Sequence, residues 1–139
     1  ATFHEGMQTL RQISFGLLDI AWHGEDPSSV KNVKEFETLS FSATQLYPDV
    51  KENCMSTSFS HIFQGGYSAG YYSYKWAEVL DADAFKYFKD HGIFNKKIAA
   101  KFKDTVLSQG GTCDPLELYI KFKGSKPNPE ALLKRAGLI

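Results

Sequence analysis

Cysteine is scarce in this chain: 139 residues contain only Cys54 and Cys113, with no C-x-x-C spacing. That excludes a disulfide scaffold and a zinc ribbon, and leaves two free thiols suited to a reducing compartment. Net charge is absent too, with 16 basic residues against 16 acidic ones. A balanced chain has no general attraction for nucleic acid or for an anionic membrane surface. The four lysines Lys96, Lys97, Lys101 and Lys103 alternate with apolar residues and read as the solvated face of a helix. No apolar run is long enough to span a bilayer, and the first residues lack the pattern of a secretory signal. Alternating strand patterns, internal repeats and linker-like stretches are missing as well. Together with 42% hydrophobic and 23% charged residues, these features predict an all-α chain forming a single helical domain over 1–139.

What is present is helical periodicity broken by clear stop signals. Met7, Leu10, Ile13, Leu17 and Ile20 recur at spacings of three and four, which predicts a first helix ending near His23-Gly24. Val30, Val33, Phe36 and Leu39 begin a second helical face after Asp26-Pro27-Ser28-Ser29, and Pro48-Asp49 should end it. The Ser- and Thr-rich stretch from Cys54 to Ser60 reads as an extended loop. Asn95 can cap a helix carrying Ile98, Phe102, Val106 and Leu107, with Gly110-Gly111 as its stop. Asp114-Pro115 opens another that ends at Gly124, and Pro127-Asn128-Pro129 introduces a short last one.

The densest chemistry lies in residues 60–76, which hold His61, three glycines, four tyrosines and Trp76. Paired Gly65-Gly66 permits positive φ or close backbone approach, and phenols offer hydroxyl donors on rigid arms. If a helix runs from about Tyr67, then Tyr67, Tyr71 and Tyr74 share a stripe with Glu78, while Tyr72, Trp76, Val79 and Leu80 form the core-facing side. The tyrosine stripe then either lines a cleft or packs on a neighbouring helix with its hydroxyls on backbone carbonyls. Residue pattern alone leaves those two readings level.

Elsewhere the candidates are weak. His4-Glu5-Gly6-Met7-Gln8 lacks the second histidine of an H-E-x-x-H zinc motif and reads as a helix start. Asp19 and His23, one turn apart near a helix end, read as an ion pair. No serine or cysteine nucleophile pairs with a base, and no glycine loop is built to cradle phosphate. The chain has a substrate grip without a visible nucleophile.

The run from Phe59 to Phe85, FSHIFQGGYSAGYYSYKWAEVLDADAF, closely resembles the C-terminal catalytic region of the oligopeptidase A-type, thimet oligopeptidase-like zinc metallopeptidases. Leu10-Arg11-Gln12 with Phe15, Asp19 and His23, then Leu107-Ser108-Gln109-Gly110-Gly111, Phe122-Lys123-Gly124 and Ala131-Leu132-Leu133, extend the likeness over nearly the whole chain. The resemblance implies the helical C-terminal portion of a zincin-like catalytic domain acting on short peptides. It also implies that zinc, its H-E-F-G-H helix and its further glutamate ligand belong to the rest of the enzyme, so no metal ligand is expected here and the isolated chain should be inactive. By the same likeness His61 and Tyr74 are catalytic, while Gly65, Gly66, Tyr67 and Tyr71 bind substrate. The partners implied are short peptides and the remaining N-terminal part of the same enzyme. A stand-alone helical peptide-binding module that lost catalysis is the alternative.

Overall fold

A computed structural model describes residues 2–139. Among them lie seven α-helices and no strand, so the all-α reading holds. They divide into two compact units, one ending at Trp76 and the other Ala77–Ile139. No helix among the described residues is long and apolar enough to cross a membrane.

The first unit begins with α1, Glu5–Gly24, which starts after His4 as the H-E sequence suggested. Its buried face is Phe15, Gly16, Leu18 and Asp19. The stripe of Ile13, Leu17 and Ile20, the more regular one in sequence, stays 39–47% exposed. A 3-10 turn, Pro27–Ser29, leads to α2, Val33–Phe41, whose first amides at Lys34 and Glu35 are capped by Asn32 Oδ1. That helix stops well before Pro48. The 54–60 stretch is not extended as expected, because Met55–Thr57 forms a 3-10 turn around a buried carboxylate. Glu37 accepts from the backbone N–H of Met55 (3.0 Å) and Ser56 (2.6 Å) and from Ser56 Oγ (2.8 Å), and Trp22 Nε1 donates to the same Ser56 Oγ (3.0 Å). Phe15, Leu18, Phe59 and Ile62 make the core, with Trp22, Phe41, Met55 and Tyr71 against it.

A single helical turn, α3 (His61–Gln64), precedes α4 (Ser73–His91), which carries the chain into the second unit. There α5 (Lys96–Phe102) is capped by Asn95 and runs on into a π-helical turn, Lys103–Leu107. Asp114 caps α6 (Pro115–Lys123) by accepting from Leu116 N and Glu117 N, and Gly124 at φ 89° ends it; α7 is Glu130–Ala136. Ala84, Tyr119 and Phe122 form this unit's core, surrounded by Leu80, Tyr87, Phe88, Ile98, Phe102 and Val106. Asp83, also buried, accepts from Tyr119 Oη (2.7 Å) and Lys123 Nζ (2.6 Å).

Candidate functional site

Phe59 and Ile62 are the anchors of the glycine and tyrosine segment, at 8% and 0% exposure, and between them His61 is left facing solvent. The turn of α3 is closed by Phe63 N and Gln64 N on Ser60 O (3.0 and 2.8 Å). It ends where it does because of Gly65: a Cβ there would lie 2.9 Å from both Cα and the carbonyl oxygen of His61. Gly66 then takes φ 77°, a left-handed conformation that a side chain disfavours. The two glycines thus differ in role, the first giving clearance and the second turning the chain.

No helix runs from Tyr67. The chain instead makes tight turns through Tyr72, with Gly70 N on Tyr67 O (2.9 Å), Ser68 Oγ on Ile62 O (2.7 Å) and Ala69 at φ 54°. In a helix the Tyr71 N–H would bond to Tyr67 O. Here it donates to Asp19 Oδ2 (2.8 Å), and Ala69 N–H donates to Asp19 Oδ1 (2.9 Å). A carboxylate from α1 has taken the Tyr71 amide that such a helix would bond internally, together with the Ala69 amide, which would be one of its unpaired first-turn donors.

The three tyrosines nevertheless converge, by turn rather than by helix. Ring centroids are 6.2 Å apart for Tyr67 and Tyr71, and 5.2 Å apart both for Tyr67 and Tyr74 and for Tyr71 and Tyr74. Tyr74 Oη donates to Tyr67 Oη at 2.6 Å. Tyr71 packs edge-on against Phe15 and Phe59, and its hydroxyl reaches Gln12 Oε1 at 3.5 Å. The His61 ring centroid lies 6.1 Å from that of Tyr67. All six residues read from the sequence therefore belong to one run of chain, with His61, Tyr67, Tyr71 and Tyr74 linked ring to ring.

The expected core-facing side holds only in part: Leu80 packs against the core of the second unit, while two of its members do not turn inward. Tyr72 and Trp76 are 57% and 46% exposed, since the turn before Ser73 re-aims them. What meets α1 at this point is the backbone of Tyr72, whose Cα is 3.6 Å from where a Cβ on Gly16 would stand.

The phenols are held in their neutral form. The hydrogen bond with Tyr67, then partial desolvation and the neighbouring phenols, raise the Tyr74 pKa above its ordinary value. Burial raises that of Tyr71, against the opposing pull of the Arg11 guanidinium. At neutral pH both are proton donors. Arg11 sits over the Phe15 ring, 5.1 Å from its centroid.

Asp19 is the residue that sequence reasoning undervalued. Its pairing with His23 is present, Nδ1 to Oδ1 at 3.0 Å, yet the fully buried carboxylate also carries the two loop amides. The available signal was an ionisable residue on the face that bears Phe15, Leu18 and Trp22. Glu37, holding Met55 and Ser56, was missed in the same way.

Among the described residues no three His, Cys, Asp or Glu side chains converge as ligands. Asp19 and His23 come nearest, but both carboxylate oxygens accept from N–H groups and His23 Nδ1 faces Asp19. A zinc centre of the catalytic kind needs three protein ligands, and these residues do not fit one.

The phenols, the imidazole of His61 and the glycine turn thus gather at one place in an all-helical chain. Residues 1–138 match peptidase family M3, and the chain belongs to that family. It is 42% identical to probable cytosolic oligopeptidase A of Arabidopsis thaliana, over 99% of this chain and 20% of that protein. Oligopeptidase A of Escherichia coli is also 42% identical, over 93% of this chain and 19% of the bacterial one. A dipeptidyl carboxypeptidase of Escherichia coli is 32% identical over 98% of this chain and 20% of its own length. The chain spans about a fifth of the length of the curated relatives it matches.

Proposed function

We propose that this chain is the C-terminal, substrate-binding and transition-state-stabilising part of a zinc-dependent oligopeptidase that hydrolyses short peptides. The observation that carries the reading is the set of phenols converging beside His61 and the glycine turn, in a chain of family M3. When water adds to a peptide carbonyl, negative charge builds on the oxygen, and a donor aimed there favours the transition state over the ground state. One of the two hydroxyl protons lies between Tyr74 and Tyr67; when a substrate oxygen takes the Tyr74 proton, the pair reverses and Tyr67 donates to Tyr74. Tyr74 and His61 are assigned to that oxygen. Tyr67, Tyr71 and the exposed backbone at Gly65-Gly66 are assigned to the extended peptide.

Zinc in this proposal is held by another part of the same polypeptide, as the resemblance to the zinc oligopeptidases implies. The same remainder of the enzyme is the partner proposed for the exposed Ile13, Leu17 and Ile20 stripe. The cytoplasm is the compartment proposed, after the relative named cytosolic. The test is hydrolysis of a short fluorogenic peptide by the complete protein and its Tyr74→Phe variant. A fall in kcat of about 10²- to 10³-fold with little change in KM is expected for loss of an oxyanion donor. An unchanged kcat would remove Tyr74 from the chemistry.

A further inference from the structure

The tyrosine cluster has an unusual backbone support. Between Gly66 and Ser73 the chain is not helical; its own bonds include Ser68 Oγ to Ile62 O, Gly70 N to Tyr67 O and Ser73 N to Gly70 O, and Tyr71 O and Tyr72 O accept from Tyr74 N and Trp76 N at the start of α4. Two further donors, Ala69 N–H and Tyr71 N–H, converge on the carboxylate of Asp19, which stands 50 residues upstream of Ala69 and is 0% exposed. His23 Nδ1 faces two acceptors, Asp19 Oδ1 at 3.0 Å and the Asp19 carbonyl oxygen at 2.7 Å, and therefore carries the ring proton. The carboxylate accepts from three donors at once, a set that no neutral side chain of its size can match.

We propose that Asp19 is a positioning residue for catalysis: by holding the amides of Ala69 and Tyr71 it keeps this segment out of the helix and sets the Tyr67 hydroxyl against Tyr74. The inference rests on the proposed role of the tyrosines. Were α4 to extend back through Tyr67, that residue and Tyr74 would be separated by about 10 Å along the helix axis. The 2.6 Å hydroxyl pair could not then form as it does here. The turn also places Ala69 at φ 54°, a conformation that needs outside support in a residue with a Cβ. Asp19→Asn keeps the shape but offers one oxygen and one NH2, so it can serve one of the two amides and sets a donor against the other.

The experiment is a double-mutant cycle in the complete protein, with residue-resolved amide exchange as an independent readout. Asp19→Asn is expected to lower kcat about 10- to 100-fold, as for a donor displaced by about an ångström, and to raise KM as well because the released Tyr67 and Tyr71 are assigned to the peptide. In a Tyr74→Phe background the same substitution should lower kcat by less than about twofold, because the hydroxyl pair that the clamp sets up is already broken. The Ala69 and Tyr71 amides should exchange slowly in the unmodified protein and fast in Asp19→Asn. Equal losses of kcat in both backgrounds, or fast exchange at both amides in the unmodified protein, would overturn the proposal. If Asp19→Asn does not fold, exchange in the unmodified protein decides alone. Should Tyr74→Phe leave kcat intact while Asp19→Asn still releases both amides, the clamp stands and the transition-state role of Tyr74 falls.

Discussion

Tyr74 Oη donates to Tyr67 Oη at 2.6 Å, although only Tyr74 lies in α4 and the turn holding Tyr67 precedes it. The pair makes a two-phenol unit with a single hydroxyl proton to offer. It also couples the ionisation of one ring to the presence of the other.

That coupling predicts a titration. The hydrogen bond to Tyr67 is the largest cause of the raised Tyr74 pKa, so the neutral phenol is favoured in the folded state. Its stabilising contribution is complete below the ordinary tyrosine pKa of about 10 and disappears as pH rises through the higher folded value. Phenolate absorbance should show Tyr74 ionising above that ordinary value in the unmodified protein. In Tyr67→Phe its ionisation should move back down; an unmoved titration would mean that the pair does not persist in solution.

Gly65 and Gly66 should respond differently to alanine. At Gly65 the new Cβ meets the backbone of His61 at 2.9 Å, so the loop must shift and His61 with it. If His61 acts as proposed, peptidase activity of the complete protein should fall at least about tenfold, as misplacement of a catalytic group does. At Gly66 the space is open and only φ 77° is unfavourable, a strain of about 1–2 kcal/mol. Thermal melting and kcat/KM measured on both variants separate the two effects.

Glu37 predicts acid sensitivity. Burial pushes its pKa up, but hydrogen bonds from Met55 N, Ser56 N and Ser56 Oγ, with Lys34 nearby, outweigh it and hold the folded value below 4.5. The stability it gives is present above pH 4.5 and is lost as pH falls through the lower folded pKa. Glu37→Gln should cost about 2–3 kcal/mol at neutral pH and flatten the acid limb of the stability profile. Denaturant melts across that range check both; a parallel profile in the variant would assign the acid limb to other groups.

The second unit offers a contrast between buried and exposed ion pairs. Asp83 is 3% exposed and holds both Tyr119 Oη and Lys123 Nζ, so Asp83→Ala strands a hydroxyl and a cation and should cost about 3–5 kcal/mol. Arg135 and Asp81 form a pair of similar length, 2.6 Å, with side chains 47% and 66% exposed. Arg135→Ala should cost less than about 1 kcal/mol. Equal losses in the two variants would contradict the burial argument.

Most helix ends were legible in the sequence because local chemistry sets them. Asn95 and Asp114 cap as their spacing predicts, and Gly124 ends α6 in the left-handed conformation that glycine favours. The stripe that matters on α1 was harder to read. Ile13, Leu17 and Ile20 give the regular pattern, yet Phe15, Leu18 and Asp19 are the buried ones. Periodicity finds an apolar face but does not say which partner covers it, and α1 carries two.

The sequence by itself determined an all-helical chain of family M3 and which residues gather beside His61, since capping, helical spacing and the long H-x-F-x-G-G-Y-x-A-x-Y-Y-x-Y run are properties of neighbouring residues. How the tyrosines meet was decided only by tertiary structure. Tyr67 and Tyr71 lie in turns and not on a helix because Asp19, on a different helix, takes the amides of Ala69 and Tyr71. A hydrogen bond that spans 50 residues has no local signature, and the free energy of leaving a buried carboxylate without donors is what selects the turn over the helix.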